Sequence, residues 1–140
     1  MRRIIASLGI AFTLSFGATL EEATIAYNKG DYQTTKTIFE DLASKGDATA
    51  QHNLGVMYDF GEGVKQDYFK ATDFFKKGCE QGESNGCANL GIMYYKGEGV
   101  KQDYFKATEF FKKACDGQNA HGCVNLGVIY ENGEGVKQDN

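Results

Sequence analysis

Proline and tryptophan are both absent from the 140 residues, so no position locks the backbone and the chain's punctuation falls to its 18 glycines. No stretch alternates apolar and polar residues with period two, which argues against β-strands. No uncharged run reaches the roughly 20 apolar residues that a membrane span needs. No cysteine precedes Cys79, so a lipid anchor at the N-terminal end has no attachment point. The lysines are interleaved with acids throughout, and without a basic patch to displace counterions, nucleic acid is a poor partner.

What the chain does have is a repeat. Gly61 to Lys77, GEGVKQDYFKATDFFKK, returns as Gly97 to Lys113, GEGVKQDYFKATEFFKK, and its first seven residues return once more at Gly133 to Asp139, a period of 36 residues. Self-similarity at such a period marks stacked supersecondary units, each unable to bury its apolar face without a neighbour. The two full copies differ in that stretch only at Asp73 and Glu109. An active site needs several different residues converging on one spot, so the repetition points to a scaffold, with no catalytic residue and no cofactor assigned.

The N-terminus reads as an export signal. Met1, Arg2 and Arg3 make a short basic start, Ile4 to Phe16 carry no charge, and Ser15-Phe16-Gly17 offers small residues where cleavage would occur. Residues 1–17 are therefore expected to be removed, leaving a chain in the periplasm or outside the cell, with no membrane attachment. The remainder carries 13 Lys+Arg against 19 Asp+Glu, a formal charge of −6. Cys79 and Cys115 are one repeat apart, as are Cys87 and Cys123, so each repeat holds one C-x7-C pair. In an exported chain such a pattern reads as a disulfide framework rather than as metal or redox chemistry.

Each repeat reads as two helices. Cys87, Leu90, Gly91 and Tyr94 share one face of a first helix, with equivalents at Gln51, Leu54, Gly55, Tyr58 and at Cys123, Leu126, Gly127, Tyr130. A glycine inside a helix costs roughly 1 kcal/mol relative to alanine, so its return at 55, 91 and 127 calls for close approach of another helix. That second helix runs from Tyr104 to about Cys115, with Asp103, and Asp67 one repeat earlier, as N-caps. Gly97 ends the first helix. Upstream the frame continues in divergent form over residues 18–42, with a helix over Leu20 to Asn28 capped by Thr19 and Glu22. Such a unit is expected to cap the array; its cysteine positions are Ala43 and Gln51. Residues 43–140 hold the regular repeats. The last lacks its second helix, which suggests an array cut short.

Three features together resemble the Sel-one-like repeats, relatives of the tetratricopeptide repeat: A-x-x-N-L-G-x-x-Y in the first helix, the G-E-G-V loop, and A-x-x-F-F-x-K-A-C in the second. The C-x7-C spacing narrows the resemblance to the disulfide-stapled branch, the Helicobacter cysteine-rich proteins. The implied fold is an all-α, right-handed solenoid of αα-hairpins. Members of this branch are classed as penicillin-binding proteins or β-lactamases, and the wider superfamily binds peptides and partner proteins. Pairing Cys79 with Cys87 and Cys115 with Cys123 joins the end of one second helix to the start of the next first helix across a short turn.

The residues weigh these functions differently. A serine β-lactamase needs S-x-x-K with S-D-N and K-T-G elements, and none of the three occurs. Beyond residue 17 the serines are Ser44 and Ser84, both read as solvated turn or helix-end residues. His52 and His121 fall at different positions of the repeat, form no ladder, and are expected on the surface or in turns. A ladder does exist at Asn53, Asn89 and Asn125, one per first helix. By analogy with tetratricopeptide arrays these helices line the concave surface, where an asparagine amide can both donate to and accept from an extended peptide. The alternative is that each asparagine bonds its own loop or the next repeat. Met57, Met93 and Ile129 lie on the same side, either as adaptable ligand contacts or as core. The expected ligand is a peptide or protein, with a cell-wall fragment or a β-lactam as other occupants.

Overall fold

The computed structural model describes residues 17–136, and among them it holds seven α-helices and no strand. The expected export segment thus lies, Gly17 apart, outside the described residues. The helices are α1 (Leu20–Asn28), α2 (Tyr32–Ser44), α3 (Ala48–Phe60), α4 (Tyr68–Glu80), α5 (Ser84–Lys96), α6 (Tyr104–Asp116) and α7 (Ala120–Glu131). Each packs on its neighbours in sequence, and α5 also touches α7, as expected of αα-hairpins stacked into a solenoid.

The helix starts follow one local rule. Thr19, Asp31, Asp47, Asp67, Glu83, Asp103 and Asn119 each precede a helix and accept a hydrogen bond from a backbone N–H of its first turn. At the other end, Gly61 and Gly97 take left-handed backbone angles, with φ of 69° and 73°, and terminate α3 and α5.

Within a hairpin, the two helices meet through a glycine and an aromatic ring. A Cβ placed on Gly55 would lie 2.6 Å from the Phe75 ring, and one on Gly91 would lie 2.6 Å from the Phe111 ring. Only a hydrogen fits there, which is the packing reason the helix-interior glycines called for. At Gly127 a Cβ would meet nothing within 4 Å, because no second helix covers α7 among the described residues. Val124, Val128 and Tyr130 are accordingly exposed.

Between hairpins, Cys79 is bonded to Cys87 and Cys115 to Cys123, with Cα–Cα separations of 4.5 Å in both. The G-E-G-V loop of one repeat leans back on the second helix of the repeat before it. Thr72 Oγ1, for example, lies 3.3 Å from the Glu98 carbonyl oxygen. The core runs along these contacts through Leu54, Met57, Phe75, Leu90, Met93 and Phe111, all at most 3% exposed.

Met57, Met93 and Ile129 settle into that core, at 2%, 2% and 1% exposure. Their unbranched or branched apolar side chains recover more free energy packed against the facing helix than held in water. They are floor, not contact surface.

Candidate functional site

Three cavities follow one another along the first helices, each lined by residues of two consecutive ones. The first, about 170 Å³, takes Thr24 and Tyr27 from α1 and Asn53 and Val56 from α3. The second, about 300 Å³, takes Val56, Asp59 and Phe60 from α3 and Asn89 and Ile92 from α5. The third, about 290 Å³, takes Ile92, Tyr95 and Lys96 from α5 and Asn125 and Val128 from α7. Each asparagine of the ladder is half-buried and lines one cavity, above Met57, Met93 or Ile129. The repeat dictates this: a residue at a fixed helical position recurs at a fixed position of the stack.

Beside the series stand the glutamates of the turn motif, passed over as loop in the sequence reading. Glu98 lines the second cavity, while Glu62 and Glu134 sit against Tyr27 and Tyr95, which line the first and third. Glu62, Glu98 and Glu134 come from successive G-E-G loops and face a residue of the preceding first helix. Tyr27 donates its hydroxyl hydrogen to Glu62 Oε2 at 2.6 Å, and this bond pushes the phenol up to about 12. Tyr95 donates likewise to Glu134 Oε1 at 3.3 Å. In the middle repeat the tyrosine is replaced by Asp59, whose carboxyl is held above its ordinary value first by burial and then by the field of Glu98, with Lys96 pulling the other way. The signal was available in the 36-residue recurrence of the motif's glutamate.

His52 departs from the expectation of a surface or turn histidine. Its Nδ1 lies 3.2 Å from Asn53 Oδ1, its Nε2 lies 2.9 Å from Asn89 Nδ2, and its ring sits 5.8 Å from that of Phe75. Two rungs of the asparagine ladder are thus bridged by one imidazole. Burial lowers its pKa, against an opposing pull from Glu83 and from the bond to Asn53. Asn125 makes no side-chain hydrogen bond among the described residues, because the position equivalent to His52 is Ala88 in the next repeat. His121 is exposed in the first turn of α7.

Two wider clefts, about 760 and 620 Å³, open elsewhere, at the starts of α4 and α6. Lys70 lies over the Tyr58 ring and Lys106 over the Tyr94 ring, both at 5.3 Å, beside the exposed Phe69 and Phe105. Among the described residues no group of histidine, cysteine and carboxylate side chains is arranged to hold a metal ion, and no helix is long and apolar enough to cross a membrane.

The model of the Sel1 repeat family matches residues 48–83, 84–119 and 120–140. Among solved structures, a Sel1 repeat protein from Oxalobacter formigenes superposes with a TM-score of 0.81 at 25% identity, over 86% of this chain and 50% of that one. A protective antigen present in uropathogenic Escherichia coli strains, displaying an SLR fold, gives 0.75 at 37% identity, over 80% of this chain and 25% of that one. Helicobacter pylori cysteine rich protein B gives 0.65 at 28% identity, over 68% and 71%. This chain thus spans half of the first protein and a quarter of the second. No curated protein matches it.

Proposed function

Because this chain belongs to the Sel1 repeat family, we propose that it is an exported interaction scaffold holding an extended peptide or protein segment in the groove along its first helices. Asn53, Asn89 and Asn125 supply hydrogen bonds to the ligand backbone at one-repeat intervals. The observation that carries this reading is that each of the three lines its own cavity between consecutive first helices. Val56, Ile92 and Val128 give the same groove an apolar edge, and in the second cavity Asp59 and Glu98 outnumber Lys96, which favours neutral or basic segments over acidic ones there. A peptide stem from the cell wall is a second chemistry that the same backbone-directed amides could hold.

Export fits the two disulfides, which persist in oxidising compartments such as the periplasm or the extracellular space. In this reading residues 1–17 are a cleaved leader, 18–42 a capping hairpin, and 43–140 the binding repeats. A β-lactamase function finds no comparable support. Ser44 donates its hydroxyl hydrogen to the Asp41 carbonyl oxygen of its own helix at 2.6 Å, Ser84 opens α5, and neither serine has a lysine three residues on.

Asn125 provides the clean test, because its side chain has no hydrogen bond among the described residues to lose. Asn125→Ala should not lower the melting temperature, since alanine also favours the helix, and should weaken binding to captured peptides about fivefold, the value of roughly one hydrogen bond. Unchanged affinity in a chain that binds peptide would remove the ladder from the groove.

A further inference from the structure

Resting on the groove reading above, we propose that His52 is the positioning residue that sets the hydrogen-bonding polarity of the groove. When neutral it turns Asn53 to present amide donors and Asn89 to present a carbonyl acceptor; when protonated it turns Asn89 over.

The assignment follows from what a carboxamide can do. Its nitrogen only donates and its oxygen only accepts. With its carboxamide oriented so that Nδ2 lies 2.9 Å from His52 Nε2, Asn89 donates to the ring and Nε2 carries no hydrogen. The hydrogen of the neutral ring is then on Nδ1, which donates to Asn53 Oδ1 at 3.2 Å. In this orientation of the two carboxamides both bonds are satisfied by the Nδ1–H tautomer, and the Nε2–H tautomer would need both carboxamides turned over. Asn53 is left with its Nδ2 hydrogens free for the first cavity, and Asn89 with its Oδ1 free for the second. An extended segment offers both carbonyl and N–H groups, so a donor on one rung and an acceptor on the next also give the groove a direction.

Protonation changes one bond of the two. A hydrogen on Nε2 faces Asn89 Nδ2 donor to donor, and the relief is a half-turn of the Asn89 carboxamide about its soft terminal torsion. Asn89 then accepts from the ring and shows its amide hydrogens to the groove, so that both rungs present donors. The charged group that reaches the ring is Glu83, at the N-cap of α5. One of its oxygens accepts from the Asn85 N–H and the other lies 3.4 Å from Thr49 Oγ1. From α4 the ring meets the Phe75 side chain. No other charged group among the described residues bears on it. Equivalent positions hold Ala88 and Val124, so the switch exists once in the array.

The full chain without ligand, labelled with ¹⁵N, tests the bridge. The imidazole nitrogens should show the Nδ1–H tautomer at neutral pH, and the Asn89 side-chain amide should shift on acidification with the same midpoint as His52, while Asn125 stays still. An Nε2–H tautomer, or an Asn89 amide that ignores the His52 titration, overturns the proposal. Peptide titrations above and below that midpoint then read the groove. Affinity should change several-fold in the wild type and stay flat in His52→Gln, with His52→Ala as the second variant should glutamine disturb folding. A wild-type affinity indifferent to pH, with the amide titrating as described, refutes control of the groove by His52. If the amide titrates but no peptide binds at any pH, the groove reading falls and the amide switch stands.

Discussion

Gln51 Nε2 donates to the Ala43 carbonyl oxygen at 3.3 Å, across the turn that in the next two repeats is closed by a disulfide. At these two positions the first junction is bridged by a hydrogen bond where the next two are bridged covalently. Gln51 Oε1, meanwhile, is buried without a partner among the described residues. Leaving a buried acceptor unpaired costs about 1–3 kcal/mol.

Replacing both residues by cysteine should install a third staple. Ala43 and Gln51 are separated by the same eight positions as the paired cysteines, and the turn between them has the same helix-cap construction. Closing a loop of this length contributes about 2.5 kcal/mol on the chain-entropy model, and the unpaired acceptor disappears with the glutamine. Ala43→Cys with Gln51→Cys should melt several degrees higher when oxidised and lose that gain on reduction. An oxidised double variant that melts no higher than wild type would show the first junction to be built differently.

The existing disulfides should not be equally resistant to reduction. Cys79 and Cys87 are 1% and 2% exposed, whereas Cys115 is half-buried and Cys123 is exposed. A thiolate reagent must reach a sulfur to attack it. Graded reduction followed by alkylation and peptide mapping should label Cys115 and Cys123 first, and labelling of Cys79 and Cys87 ahead of them would contradict the burial.

Most of the fold was legible because the repeat states each rule more than once. The caps Thr19, Asp67 and Asp103, the stop at Gly97, and the glycines at 55 and 91 could each be reasoned from local chemistry. The site was less so. His52 occurs in one repeat only, and its meaning comes from Asn89, 37 positions away, which no local pattern connects to it. The methionines lay on a face whose width periodicity leaves open, and only the seating of the second helix decided that they are core. The loop glutamates recurred in plain view, but a turn motif explains its glycines without saying where the residue between them points.

Acid should weaken the fold through His52. Burial holds its native pKa below the ordinary value of 6.5, so between the two values the unfolded chain binds the proton more readily than the native one. This contribution is complete above the unfolded pKa, declines as pH falls through it, and levels off below the native pKa. Denaturant midpoints measured from pH 8 to pH 4 should show a slope in wild type that His52→Gln flattens. Equal slopes in the two proteins would mean that the carboxylates alone govern the acid limb.

The sharpest check on the packing is one substitution made at two equivalent glycines. At Gly91, alanine would gain about 1 kcal/mol of helix propensity, yet its methyl carbon would lie 2.6 Å from the Phe111 ring, which is wedged at 3% exposure and cannot withdraw. Overpacking of that kind costs about 1–3 kcal/mol, so the expected net effect is destabilisation. At Gly127 the same methyl meets nothing within 4 Å, and only the propensity gain remains. Gly91→Ala should therefore lower the melting temperature and Gly127→Ala raise it, although the two residues stand at the same position of the repeat. If Gly127→Ala instead destabilised the chain, α7 would have to be covered by a helix seated on it as α6 is on α5. If both variants were stabilised, the ring and the glycine would not be in contact at all.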